Sequence, residues 1–64
     1  MADIQINNHG SILIFVPRTE TGMEWMNENL DPGAMRWAGG IVVEPRYAAD
    51  IVNGMQGDGL LVEG

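Results

Sequence analysis

The stretch Ser11-Ile12-Leu13-Ile14-Phe15-Val16, closed by Pro17, limits what this chain can fold into more than any other. Its run of apolar residues from Ile12 to Val16 is rich in β-branched and aromatic side chains and is bounded by Asn7-Asn8-His9-Gly10 and by a proline. That pattern reads as a strand, not a piece of helix. Strand side chains alternate, so Ile12, Ile14 and Val16 face one side of a sheet while Leu13 and Phe15 face the other. A strand apolar on both faces belongs in the middle of a sheet and needs cover on both sides.

Around it, Asp3-Ile4-Gln5-Ile6 alternates polar and apolar residues as an edge strand does. Asn7-Asn8-His9-Gly10 folds this strand back as a hairpin, with Gly10 the residue expected at positive φ. After Pro17 the period becomes helical. Thr19 and Thr21 both qualify as N-caps, and Thr21-Gly22-Met23-Glu24 matches a capping box. The helix should end at Leu30, because a residue before proline, here Asp31, is pushed out of the α region. Met23, Met26 and Leu30 share one face and are assigned to the core. Asp31-Pro32-Gly33 is read as a turn with proline at fixed φ.

Ala34 to Ala38 follows as a short strand with Met35 and Trp37 on one face, and Gly39-Gly40 as a two-residue turn into Ile41-Val42-Val43-Glu44. Pro45 suits the first position of a second helix, whose apolar arc is Tyr47, Ala48, Ile51, Val52 and Met55. Gly54 within it is unfavourable by roughly 1 kcal/mol relative to alanine, which close packing would offset. Gly57-Asp58-Gly59 breaks this helix, and Leu60-Leu61-Val62 forms a last strand.

The order is therefore ββαββαβ, an α+β fold of two layers with a mixed sheet of about five strands and two helices on one face. The expected core includes Ile14, Phe15, Val43, Ile51 and Met55. A single domain spans residues 1–64. A chain of 64 residues buries only about 60% of its unfolded surface, and without cysteine it has no disulfide staple. Packing or oligomerisation must hold it together. The sheet face away from the helices is expected to close on a second copy of the chain, with Leu13 and Phe15 as the homodimer face.

Nine acidic against three basic residues give a formal charge of −6, which repels phosphates and argues against direct nucleic-acid binding. No apolar run approaches the roughly 18 residues of a membrane span. Met1-Ala2-Asp3 lacks the basic start of a signal peptide, so a cytoplasmic protein with no membrane partner is expected.

Catalytic chemistry finds little purchase here. His9 is the only histidine and there is no thiolate to join it, so it reads as a turn residue, locally bonded or exposed. Asp58 lacks the other oxygen ligands of a calcium loop, and Gly39-Gly40 lacks the lysine of a phosphate loop. No catalytic, cofactor or metal residue is assigned, and the chain is read as not an enzyme. Glu20, Glu24 and Glu28, continued by Asp31, form an acidic stripe. One reading is a solvated face. The other is a partner-binding surface whose carboxylates, about 6 Å apart, echo the phosphates of a nucleic acid and fit a basic groove. Trp25 beside the stripe is either its aromatic anchor or a cover for the edge of the core.

The segments Asn8-His9-Gly10-Ser11-Ile12, Pro17, Thr19, Trp25, Gly39-Gly40-Ile41-Val42-Val43-Glu44, Arg46-Tyr47 and Gly54-Met55 resemble those of a group of small uncharacterised proteins carried by bacteria, phages and plasmids. The resemblance covers most of the chain and brings no catalytic residues with it. It implies a mobile-element context, in which short acidic proteins inhibit host defence complexes as anti-CRISPR proteins do. The function expected is thus a small acidic protein-binding module, an anti-CRISPR-like inhibitor of a nucleic-acid-binding protein. The alternative is a homodimeric accessory protein that uses its open sheet face.

Overall fold

Strand β2 (Leu13–Pro17) lies at the centre of a five-stranded sheet and pairs antiparallel with β1 (Ile4–Asn8) on one side and β4 (Gly40–Val43) on the other. The structure, a computed structural model, describes residues 1–31 and 33–64. The two-residue strands β3 (Arg36–Trp37) and β5 (Val62–Glu63) form the edges in the order β3-β4-β2-β1-β5, and β5 pairs parallel with β1. Helix α1 (Glu20–Asn29) follows β2 and helix α2 (Pro45–Gly57) follows β4. The fold is α+β with a mixed sheet and the order ββαββαβ, as the sequence pattern indicates. The proposed proline turn at Pro32 lies outside the described residues.

Register decides which sheet face the helices cover. Ile6, Phe15 and Ile41 stand side by side across three strands, with Leu13 opposite Val43 in the next row but one. That face is apolar through the middle of the sheet, with Asn8 beside Leu13 at one end and Arg36 beside Ile41 on the edge strand. The alternate rows set Asn7 beside Ile14 and Gln5 beside Val16, so the other face is interrupted by amides. Both helices accordingly pack on the first face: Met26 of α1 and Ala48 and Met55 of α2 join Ile4, Phe15, Ile41, Val43 and Leu60 in one buried cluster. Leu13 packs against this cluster and Phe15 is fully buried in it, so neither forms the face left open for a second copy. The outward row of β2 is Ile14 and Val16. Ile51, expected in the core, is half-buried at its margin, while Ile14, Val43 and Met55 are buried.

The first helix starts where a tertiary bond places it. Thr19, not Thr21, is the N-cap: its Oγ1 accepts the Gly22 N–H at 3.1 Å and donates to Asp3 Oδ1 at 2.6 Å. The same Asp3 carboxylate accepts the Leu61 N–H at 3.0 Å, and its backbone carbonyl accepts the Arg18 N–H at 2.7 Å. One residue thus ties the N-terminus, the start of α1 and the entry to β5. Gly22 is buried against the Asp3 carbonyl with no room for a Cβ, which turns Met23 outward to 52% exposure. α1 ends at the expected place, with Leu30 as its C-cap.

The second hairpin turns one residue earlier than expected. Its central residues are Ala38 (φ 52°) and Gly39 (φ 80°), both left-handed, while Gly40 is the first residue of β4. Two left-handed residues are what a two-residue loop needs to match the twist of its strands. Gly40 is reserved for packing, because a Cβ there would stand 2.5 Å from the Phe15 carbonyl oxygen and 2.8 Å from Ile14 Cγ2.

Candidate functional site

The acidic row expected on the first helix is present as a continuous exposed surface. Glu20, Glu24 and Glu28 succeed one another by single turns along α1, and Asp31 follows beyond the cap, all four exposed. Asp31 Oδ1 also accepts the Gly33 N–H at 2.8 Å. The ion pair among the described residues is Arg46 with Glu44, at 2.9 Å on the far side of the second hairpin, and it leaves the row uncompensated.

Trp25 does not stand out beside this row. It is half-buried against the core, its ring faces Gly54 of α2, and its Nε1 donates to Asp58 Oδ2 at 2.7 Å. The geometry favours the edge-of-core role over the protruding anchor, because the ring is half-buried with its edge beside Gly54 and its N–H is held by Asp58. The five residues named for partner binding therefore separate into four carboxylates on one surface and a tryptophan in the seam. Leu13 and Phe15, the named dimer residues, are inside.

A second surface escaped the sequence analysis. On the helix-free side of the sheet, Trp37 is 55% exposed and Met35 70%. The Met35 carbonyl accepts the Val42 N–H, and Trp37 pairs with Gly40, so both side chains belong to the face that carries Val42 and Ile14. The Trp37 ring meets the His9 ring edge-on, with centroids 5.3 Å apart and planes at 67°. His9 sits in the β1–β2 turn and Trp37 on the opposite edge strand, so this pair bridges β4 and β2. On the same face Ile14 is fully buried, outside the cluster that the helices cover. Nothing local in the sequence marks a contact between residues so far apart.

No family model, curated protein or solved structure matches this chain. Its chemistry must be read from its own residues. Among the described residues, no group of three or more His, Cys, Asp or Glu side chains could hold a metal ion. No polar or charged residue among them is buried. No described helix is long and apolar enough to cross a membrane. The Asp3 carboxyl lies below the ordinary carboxylate value because the Leu61 N–H and then the Thr19 hydroxyl bond its charged form, against a smaller opposing effect of desolvation. Asp3 is tied into the fold by those bonds and not presented to a ligand.

Proposed function

We propose that this chain is a small non-enzymatic protein-binding module whose acidic helix α1 seats in a basic groove of a nucleic-acid-binding protein. The observation that carries the reading is the row Glu20, Glu24, Glu28 and Asp31, exposed and free of ion pairs among the described residues. A helix holds carboxylates four residues, about 6 Å, apart on a stiff rod, a regular row of negative charge that echoes the phosphates along a strand. A net charge of −6 steers such a surface toward basic partners and away from nucleic acid itself. In the mobile-element setting that the resemblance implies, occupying that groove would inhibit a host defence complex in the cytoplasm, in the manner of anti-CRISPR proteins.

The test begins with a partner recovered from host lysate and measured by surface plasmon resonance. Replacing Glu20, Glu24 and Glu28 together by lysine should abolish binding with the fold intact, and wild-type affinity should fall steeply with salt and be competed by duplex DNA. Unchanged affinity and unchanged salt dependence in the triple variant would sink the reading. A second reading, a homodimer through the helix-free face, is favoured by the exposure of Met35 and Trp37 there. Sedimentation equilibrium giving the mass of one chain at micromolar concentration would dispose of it.

A further inference from the structure

Between α1 and the β3–β4 hairpin lies an open groove of about 430 Å³, lined by Pro17, Met23, Met26, Asn27, Arg36 and Ile41 among others. Its size falls within the roughly 300–1,000 Å³ of ligand clefts. The floor and inner wall are apolar: Ile41 and Met26 belong to the core, and Met23 stands half out of the helix above them. Methionine walls adapt to differing apolar side chains.

Among the residues that line the groove the charged one is Arg36, and the acidic charge lies on α1 just beyond the lining. On a helix, residues three and four apart are neighbours, so the exposed Glu20 and Glu24 stand beside the lining residues Met23 and Asn27, on their solvent side. Arg36, exposed and in no ion pair among the described residues, stands on the β3 lip. An occupant complementary to this arrangement has an apolar stripe, a basic flank and at most a narrow acidic one. That is the description of a basic amphipathic helix, whose apolar residues at i, i+3/i+4 and i+7 enter a groove while lysines or arginines lie against the acidic wall.

We propose that the α1–β3 groove is the seat of a basic amphipathic helix of the partner protein, with apolar anchors over Met23 and Ile41 and its basic flank on Glu20 and Glu24. This rests on the acidic-helix reading and names the element that the helix would meet. It makes Met23 a contact residue and turns the carboxylate row from a phosphate mimic alone into the polar rim of an apolar site.

The probe is a pair of synthetic leucine-lysine peptides of about 14 residues, long enough for marginal helicity, one patterned to be amphipathic and one of the same composition in scrambled order. Isothermal titration calorimetry on the intact chain should show the amphipathic peptide binding about tenfold or more tightly than its scramble, a gap of some 1.4 kcal/mol. Amide NMR shifts should concentrate at Met23, Asn27 and Arg36. Met23→Gln, a helix-compatible change at an exposed site, should remove the preference while its thermal melt stays near that of the wild type. The proposal is overturned if the two peptides bind equally, if neither binds, if the preference survives Met23→Gln, or if the shifts gather at Val16 and Val42 on the other face. Equal, salt-sensitive binding lost in the triple lysine variant would discard the groove and leave the acidic-helix reading standing. The preference retained in that triple variant would discard both, since the occupant is defined by its basic flank.

Discussion

The indole N–H of Trp25 reaches Oδ2 of Asp58 at 2.7 Å and so joins the middle of α1 to the C-cap of α2. Gly54, one turn before Asp58, faces the same ring: a Cβ added there would stand 3.4 Å from Cζ2 of Trp25, an ordinary van der Waals contact. We expect Trp25→Phe, which keeps a ring in the seam and deletes the hydrogen bond, to lose about 1 kcal/mol in urea unfolding. Gly54→Ala should gain up to about 1 kcal/mol, because it removes the backbone entropy of a helical glycine without displacing the ring. A loss on Gly54→Ala would show that the two helices need the closer approach.

Ala38 occupies a left-handed position that L-residues other than asparagine and aspartate enter at a cost of roughly 1–2 kcal/mol. Together with Gly39 it forms a turn in which asparagine-glycine is the favoured pair. Ala38→Asn should therefore stabilise the chain by about 0.5–1 kcal/mol, read as a higher urea midpoint at unchanged slope. A lower midpoint would mean that the hairpin does not hold this φ in solution.

Asp3 should give the acid limb of the stability curve its shape. Its folded pKa is depressed by the Leu61 N–H and the Thr19 hydroxyl, so its contribution is fully present above the ordinary carboxylate range. Stability is then lost as pH falls through that range toward the depressed folded value, because the unfolded chain takes up the proton first. Asp3→Ala should be less stable at neutral pH and show a shallower decline on acidification. Guanidinium midpoints measured from pH 7 downward check this, and parallel curves for the two proteins would exclude it.

These three sites show how far local pattern reaches. The strand at Leu13–Pro17, the helix ends at Leu30 and Pro45 and the positive φ of Gly10 are set by residues within a few positions, and each was legible. The N-cap was not: Thr19 and Thr21 offer the same local chemistry, and Asp3, sixteen residues upstream, selects Thr19. The hairpin shifted because Gly40 is needed where β4 crowds Phe15, which leaves Ala38 in the turn. The sheet face was misassigned at Leu13 and Phe15 because alternation alone does not say which row meets its neighbours' apolar row. Pairing Ile6 with Phe15 settles it, and that register depends on the length of the first turn. The acidic row was visible as a four-residue period in charge. Trp25 lay beside it in sequence, yet its place in the helix seam depends on Gly54 and Asp58, more than twenty residues away.

The helix-free face offers the last prediction. Ile14 is fully buried there in a single chain, and the face also holds a bridge whose two ends, His9 and Trp37, come from the first turn and the outermost strand; we expect this bridge to cover Ile14. An edge-to-face aromatic pair adds about 0.5–1.5 kcal/mol beyond its buried area. A double-mutant cycle on His9→Ala and Trp37→Ala should therefore return a coupling of that size, because each single change removes the same contact. Either change should also uncover Ile14 and raise the binding of a hydrophobic dye, while Met35→Ser, on the same face but outside the bridge, should not. If the cycle closes near zero and the dye ignores His9→Ala, the two rings are only neighbours and Ile14 is covered by its sheet partners alone. A coupling in the expected range would mean that this chain closes most of its second face by itself, which weakens the case for a dimer through that face and leaves the acidic helix and its groove as the surface for a partner.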